Sequence, residues 1–157
     1  MEAAELSGGC TCGATRYRLA RAPMLVGCCH CRSCQIETGS AFVLNALIEG
    51  GAVEVIAGAP DLVMTPSESG RGQEIARCPA CHVALWSHYG TARRRLAFVR
   101  VGTLDTPALF PPEVHIFTRS KLPWVLLPEG VAAFDVVYDP ATFWSDAVKA
   151  RWAAAMA

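Results

Sequence analysis

The feature that most restricts this chain is a dense cysteine cluster, written VGCCHCRSCQ for residues 26–35. Four cysteines and one histidine fall within seven consecutive positions there, and the whole chain has eight cysteines. Such density is typical of a disulfide-linked structure, of a closed metal site, or of a metal site with one open coordination position. These alternatives imply different compartments and different chemistry.

The redox compartment can be inferred from the N-terminus and the hydropathy. The first residues, MEAAELSGG, lack the basic and then apolar order of a signal peptide. Apolar residues make up 52% of the chain, but no uninterrupted apolar run is long enough to cross a bilayer. We therefore expect a cytoplasmic protein without membrane contact, in which thiols stay reduced and eight cysteines indicate metal binding.

Length and charge limit the architecture and the partners. The chain has 157 residues, which suits one domain with its own core, so we expect a single zinc domain over 1–157. Its core should span about 6–136, followed by a helical tail over about 141–157. Basic and acidic residues number 14 each. Binding to nucleic acid through phosphate neutralisation normally uses a basic excess, so nucleic acid is not the expected partner.

Short β-rich segments alternate with Gly and Pro turns along the chain, which predicts a mainly β fold of antiparallel sheets. The predicted strands are 14–19, 24–26, 41–48, 53–57, 62–65, 73–76, 83–87, 96–101 and 114–117. Two helices are predicted, a short one over 32–37 that Gly39 closes and a C-terminal one over 141–155. The second carries an apolar stripe at helical spacing, which indicates contact with the core or a homodimer surface. The stripe consists of Trp144, Val148, Trp152 and Ala155.

Two cysteine pairs lie far from the opening cluster. Cys78 and Cys81 have the spacing of a zinc knuckle. Cys10 and Cys12 are two residues apart, and on an extended segment such side chains point to the same side. Together the pairs supply four thiolates, the donor set of a closed structural zinc that would restrain a long loop. The alternative is that they are unrelated free thiols.

Within the opening cluster, Cys29, Cys31 and Cys34 have CxCxxC spacing and can surround one side of a second zinc. Three protein ligands with one vacant position is the pattern of a catalytic zinc. Cys28 and His30 alternate with these ligands and should point away from them, unless a tight turn brings one of them in as the fourth ligand. A closed site and a metal-free redox cluster that uses Cys28 are the alternatives. The prediction is two zinc ions per chain.

Several segments, in this order, resemble the glutathione-dependent formaldehyde-activating enzyme family, which includes centromere protein V. They are GGCTCGATRYRL at 8–19, CHCRSCQIETGSAF at 29–42, CPAC at 78–81, VGTLDTP at 101–107 and PPEVHIFTRSKLPW at 111–124. The resemblance implies a β-tent of folded antiparallel sheets. It also implies a structural zinc on the first and last cysteine pairs and a second zinc on the CxCxxC cysteines. The implied activity is that of a carbon–sulfur lyase acting on a small thiol, such as glutathione, and a small aldehyde.

One position departs from the family pattern. The second knuckle cysteine is usually followed by glycine, which tolerates a left-handed backbone, whereas this chain has His82. Histidine adopts that conformation at modest cost, so the zinc knuckle is expected to form with His82 in the left-handed region.

The charge of a three-thiolate zinc indicates its chemistry. Such a site is about −1 by formal counting, which suits a soft ligand better than the ionisation of water. Cys29, Cys31 and Cys34 are therefore the predicted catalytic residues, with a substrate thiolate in the open position attacking a carbonyl compound. A non-catalytic zinc scaffold that binds a protein or chromatin partner is the alternative function.

A fourth thiolate brings the site to about −2, which requires nearby positive groups. Arg32 and the backbone N–H groups of the turn after Cys31 are the candidates for this role. Ser40 and Phe42 follow the same turn and are candidate substrate-pocket residues. His115 either lines that pocket or satisfies a hydrogen bond in the core.

Overall fold

The computed structural model describes residues 6–90 and 92–157, which form two β-sheets and a few short helices. The strands are Ser7–Gly9 (β1), Arg16–Leu19 (β2), Leu25–Cys29 (β3), Val43–Glu49 (β4), Val53–Ala57 (β5), Asp61–Thr65 (β6), Gln73–Arg77 (β7), Ala84–Tyr89 (β8), Leu96–Arg100 (β9), Val114–Ile116 (β10) and Ala132–Ala133 (β11). The α-helices are Arg32–Thr38 (α1), Pro140–Phe143 (α2) and Asp146–Met156 (α3). Within the described ranges, no helix has the length and apolar character needed to cross a membrane.

The larger sheet has the strand order β11-β10-β3-β4-β9-β8-β7-β6, and the smaller one has the order β1-β2-β5. Neighbouring strands are antiparallel except at β10, which runs parallel to both β3 and β11. Side chains from both sheets share one buried cluster that includes Tyr17, Leu85 and Val99. The prediction of a mainly β fold with few helices is confirmed, and the parallel pairing of β10 is an addition to it.

Each of the nine predicted strands overlaps a strand of the structure, whereas β1 and β11 were not predicted. Strand β1 has the sequence Ser-Gly-Gly, whose β propensity is low, so it carries no local strand signal. It pairs with β2 because Gly8 allows close packing. A Cβ atom at Gly8 would lie 2.5 Å from the carbonyl oxygen of Thr103 and 2.6 Å from the ring of Tyr17.

The helices differ in one respect from the prediction. Gly39 ends α1 in the left-handed region with φ 64°, as its sequence position indicated. The predicted helix over 141–155 is instead two helices, because Trp144 between them has an extended backbone (φ −73°, ψ 143°). Ser145 then starts α3 as an N-cap, with its hydroxyl accepting from the Val148 N–H at 3.3 Å.

The C-terminal segment packs against the sheet that carries the cysteine cluster. Phe134, Tyr138, Trp144 and Val148 contact a buried cluster that contains Leu25 of β3. An ion pair between Arg151 of α3 and Glu49 at the end of β4 adds a polar contact. Three of the four stripe residues therefore make core contacts, while Trp152 stays 37% exposed beside Trp144.

Candidate metal centre and its cavity

Three thiols converge where β3 ends and α1 begins. The sulfur atoms of Cys29, Cys31 and Cys34, named here the three-thiol cluster, all lie within 4.8 Å of one another. All three residues are buried, and Cys31 also serves as the N-cap of α1, with its sulfur accepting from the Cys34 N–H at 3.3 Å. The local fold thus brings together the residues that the CxCxxC spacing singled out.

Side-chain hydrogen bonds fix the turn that carries these thiols. Gln35, which is buried, donates from Nε2 to the carbonyl oxygens of His30 and Ser120, at 2.9 Å each. The Thr38 hydroxyl donates to the carbonyl oxygen of Cys34 at 2.8 Å. The ligand geometry is therefore supported by contacts to both the helix and the segment that follows β10.

The protonation of the three-thiol cluster shows why it needs a cation. The pKa of Cys31 is lowered to about 3, because the thiols of Cys29 and Cys34 hydrogen-bond to its sulfur and nearby backbone N–H groups, including that of Ser33, add to the effect. The same hydrogen bonds, together with burial, raise the pKa of Cys29. Without a cation only one of the three sulfurs ionises easily, whereas a thiophilic divalent cation would hold all three as thiolates.

Arg100 is a buried cation near the cluster that the sequence prediction missed. Its guanidinium donates to Asn45 Oδ1 and, at 2.7 Å, to Ser87 Oγ. The pKa of Cys34 is raised overall. Its hydrogen bond with Cys29 lowers this pKa, but Cys31 and burial together raise it by more. The positive charge of Arg100 also lowers it. The only available signal was an arginine at the end of the otherwise apolar segment LAFVR.

A second group of cysteines joins distant parts of the chain. The sulfur atoms of Cys10, Cys12, Cys78 and Cys81, named here the four-thiol cluster, also lie within 4.8 Å of one another. Sulfur–sulfur distances are 3.5 Å between Cys10 and Cys12 and 3.7 Å between Cys12 and Cys78. A backbone N–H, that of Thr15, donates to Cys10 Sγ at 3.2 Å and lowers the pKa of that thiol.

The donor chemistry of both clusters fits zinc. Four converging thiols match a closed tetrahedral site, and three match a site that keeps one position for another ligand. The residue after the knuckle, His82, has φ 60°, so the expected left-handed backbone is confirmed. Both clusters are therefore able to bind a metal ion, and they differ in how many protein ligands each offers.

Cys28 and His30, whose roles the sequence left open, lie with His115 in a third group whose potential ligand atoms are within 4.8 Å of one another. Cys28 lies on the face of β3 opposite Cys29, and β10 places His115 directly beside it. Cys28 Sγ lies 3.5 Å from His30 Nε2, which in turn lies 3.0 Å from His115 Nδ1. The three form a buried polar group on the face of β3 opposite Cys29, and His115 does not line the cavity next to the three-thiol cluster that is described below.

The remaining candidate pocket residues lie elsewhere. Arg32, Ser40 and Phe42 line a separate cavity next to Trp124. Arg32 is exposed and donates to Gln35 Oε1 at 3.1 Å. The structure does not bring these three residues to the cavity that contains the thiols.

A cavity of about 290 Å³ opens onto the three-thiol cluster. Its walls come from β3, β4, β9, β10 and the segment around Tyr138, and they are mostly apolar, while the loop 67–69 and Gln73 add a polar part. Tyr89, at the end of β8, also lines it, with its ring against the edge of Phe98 at a centroid distance of 4.8 Å. Burial raises the pKa of Tyr89, so its hydroxyl stays protonated and is able to donate a hydrogen bond. We name this space the thiol cavity.

Comparisons with known proteins place both clusters in a known sequence pattern. The family model described as glutathione-dependent formaldehyde-activating enzyme matches residues 5–120. No curated protein matches the chain. Among solved structures, the crystal structure of a Rhodobacter sphaeroides protein is similar with 16% identity and a TM-score of 0.49, over 82% of this chain and 98% of that chain. The family match spans all eight cysteines.

Proposed function

The chain belongs to the family of glutathione-dependent formaldehyde-activating enzymes, and from that premise we propose that it is a zinc-dependent carbon–sulfur lyase that joins a small thiol to a small aldehyde. The observation that carries the proposal is the convergence of Cys29, Cys31 and Cys34 at the wall of an apolar cavity. A zinc ion held by three protein ligands keeps one position for a substrate atom. The same site would catalyse the reverse cleavage.

The three-thiol cluster would hold the catalytic ion, and the chain's other groups would moderate its negative charge. When bound, zinc supplies a position in which a substrate sulfur is held as a thiolate. The N–H of Cys34 donates to Cys31 Sγ, and the buried guanidinium of Arg100 favours the ionised form of Cys34. In this proposal these groups balance the negative charge of the thiolates, a role for which the sequence had suggested Arg32.

The reaction needs no oxidant or reductant. A sulfur lone pair attacks the carbonyl carbon, the carbon–sulfur bond forms, and the carbon–oxygen π electrons move to the oxygen. The proton that the thiol loses is balanced by the proton that this oxygen gains, and the product is a hydroxyalkyl thioether. Tyr89 lines the same cavity with a protonated hydroxyl, so it is able to donate to the carbonyl oxygen as charge develops there.

In this proposal the four-thiol cluster holds a second, structural zinc. It would link the hairpin around Cys10 and Cys12 to the turn between β7 and β8, within one domain over 1–157. Both clusters need reduced thiols, which is the reason to place the protein in the cytoplasm.

The test combines metal content with turnover. Wild-type protein should carry two zinc ions per chain and should consume formaldehyde or another small aldehyde only when a thiol is added. Cys31→Ser should lose one zinc ion and the activity. Cys28→Ser is the matched control, because Cys28 is an adjacent buried cysteine on the opposite face of β3, and it should keep both.

Two results would count against the proposal. Full activity in Cys31→Ser would show that the three-thiol cluster is not the reaction centre. X-ray absorption that finds four protein ligands at both metals, together with no turnover, would favour the non-catalytic scaffold.

A further inference from the structure

We infer that the thiol bound in the thiol cavity is neutral and apolar, because apolar walls and a single acidic side chain surround the three-thiol cluster, and that it is not an anionic peptide such as glutathione. The inference rests on the proposed function and narrows its substrate. It departs from what the family description suggests.

The first support is the chemistry of the walls. Most of the lining next to the sulfurs is hydrocarbon, from Leu25, Leu47, Phe98, Val114, Ile116 and Phe117. Apart from Glu68, the polar groups that share the lining, such as Asn45 and Tyr89, are uncharged amides and hydroxyls. Such walls favour a hydrocarbon or aromatic group, which gains free energy when it leaves water.

The second support is the charge at the cavity. Among the described residues that line it, Glu68 is the only charged one. Ser33 donates to its carboxylate at 3.2 Å, and Arg119 lies 3.8 Å from it. A substrate carboxylate would find no cation among the described lining residues and would meet Glu68, whose charge Arg119 offsets only from outside the lining. An unpaired charge that is moved out of water into such surroundings is strongly disfavoured.

The cations closest to the cavity do not change this conclusion. Arg100 donates from its two terminal nitrogens to Asn45 and Ser87, its buried Nε has no partner among the described residues, and it lines a different cavity. Arg71 and Arg93 line a neighbouring cavity, which shares only Gln73 and Tyr89 with this one. An anionic thiol could pair its carboxylate with Arg71 or Arg93 only by extending past that shared wall. Replacing Arg71 therefore tests whether a bound thiol extends so far.

The third support is size. At about 290 Å³ the thiol cavity lies at the lower end of cavities that bind small molecules. Glutathione carries two carboxylates and an ammonium group, so it would have to place at least part of this charge against apolar walls. A thiol with one short hydrocarbon or aromatic substituent carries no charge that would have to lie against these walls.

The experiment measures binding of thiols to zinc-loaded protein by calorimetry, without aldehyde. Methyl 3-mercaptopropionate and 3-mercaptopropionate share a skeleton and differ in charge, and phenylmethanethiol and glutathione extend the comparison. The ester and phenylmethanethiol should bind at least about tenfold more tightly than the acid, with glutathione weakest, since a tenfold ratio is a modest penalty for an unpaired charge.

Charge-reversal variants identify the cause. Glu68→Lys should reduce the ratio of the ester's affinity to the acid's affinity severalfold, because it places a cation in the lining. Glu129→Lys makes the same charge change at an exposed position outside the lining and should leave the ratio as in wild type. Arg71→Ala should also leave it unchanged.

The outcomes separate this inference from the proposed function. Binding of 3-mercaptopropionate or glutathione as tight as that of the ester would overturn the inference and leave the carbon–sulfur chemistry standing. Weaker glutathione binding in Arg71→Ala than in wild type would also overturn the inference, because it would show that an anionic thiol uses this cation. If none of the thiols binds, the proposed function fails and the inference falls with it.

Discussion

His30 Nε2 lies 3.0 Å from His115 Nδ1, and this hydrogen bond joins the metal-binding turn to β10. Both side chains are buried, and the two rings are inclined by 27° with their centroids 5.3 Å apart. His30 stands between Cys29 and Cys31 in the chain, so the position of its ring is coupled to the position of two thiols. The histidine pair therefore supports the three-thiol cluster from behind without belonging to it.

Replacing His115 should weaken metal binding although no ligand is removed. His115→Leu leaves His30 Nε2 without its histidine partner, which typically costs about 1–3 kcal/mol for a buried polar group. We expect lower stability in urea and weaker zinc retention by the three-thiol cluster against a chelator. His88→Leu is the matched control, because His88 is also buried but bonds to the Leu96 carbonyl oxygen on the opposite part of the sheet. Equal loss of zinc affinity in both variants would contradict this role.

The backbone at His82 provides a test of the four-thiol cluster. Its φ of 60° is unfavourable for most residues, and its side chain is exposed. Valine there should destabilise the fold by about 1–2 kcal/mol, because a β-branched side chain is strained in the left-handed region. His82→Gly should melt at or above the wild-type temperature. A valine variant as stable as wild type would show that the knuckle relaxes around this residue.

Tyr89→Phe tests the donor to the carbonyl oxygen. Loss of one such donor typically lowers kcat about 100-fold, and KM for the thiol should change little. The ring contact with Phe98 is kept, so the melting temperature should stay near wild type. Tyr138→Phe is the control, because Tyr138 lines the same cavity but its hydroxyl accepts from Trp144 Nε1 at 3.1 Å. Equal losses of kcat in the two variants would argue against a specific role for Tyr89.

Local signals in the sequence predicted the strands and both cysteine clusters. Alternating apolar residues bounded by turn residues mark most strands, and CxC, CxxC and CxCxxC spacings constrain which sulfurs share a side of the chain. The closing glycine of α1 follows from residue type, and the left-handed His82 follows from the family pattern, in which glycine usually occupies that position. Most of these features depend on residues that are close in sequence, and the four-thiol cluster, which joins Cys12 to Cys78, was predicted by matching two local pairs to the four ligands of a closed zinc site.

The unpredicted features depend on pairings between distant residues. The side chain of His115 meets Cys28 only because β10 runs parallel to β3, and no local pattern specifies that register. Tyr89 and Arg100 reach the site through the order of β8, β9 and β4 in the larger sheet. The break at Trp144 is an exception with a local cause. Ser145 caps the start of α3, although the apolar stripe is continuous across this position.

The ion pair between Arg151 and Glu49 predicts how acid affects the C-terminal segment. Arg151 donates to both carboxylate oxygens, at 2.9 and 2.6 Å, and its hydrogen bonds hold the pKa of Glu49 below the ordinary 4.5. The carboxylate is thus more acidic in the folded state than in the unfolded state. Its contribution, about 1 kcal/mol for a partly exposed pair, is therefore complete above pH 4.5 and is lost as pH falls through the lower folded-state value.

Arg151→Met removes the charge and keeps much of the apolar stem, so it should reduce that acid-dependent part of the stability to the share from Arg21, 3.6 Å from the Glu49 carboxylate. The measurement is the free energy of unfolding in urea between pH 6 and pH 3, in wild type and variant. The difference between the two curves should be larger above pH 4.5 than below it, because protonated Glu49 gains little from Arg151, and what remains in acid reflects contacts such as the Arg151 hydrogen bond to the Ala22 carbonyl oxygen at 3.1 Å. Zinc loss in acid affects both proteins alike and cancels in the difference. A constant difference across this range would show that Arg151 stabilises the segment through packing and not through the charge on Glu49.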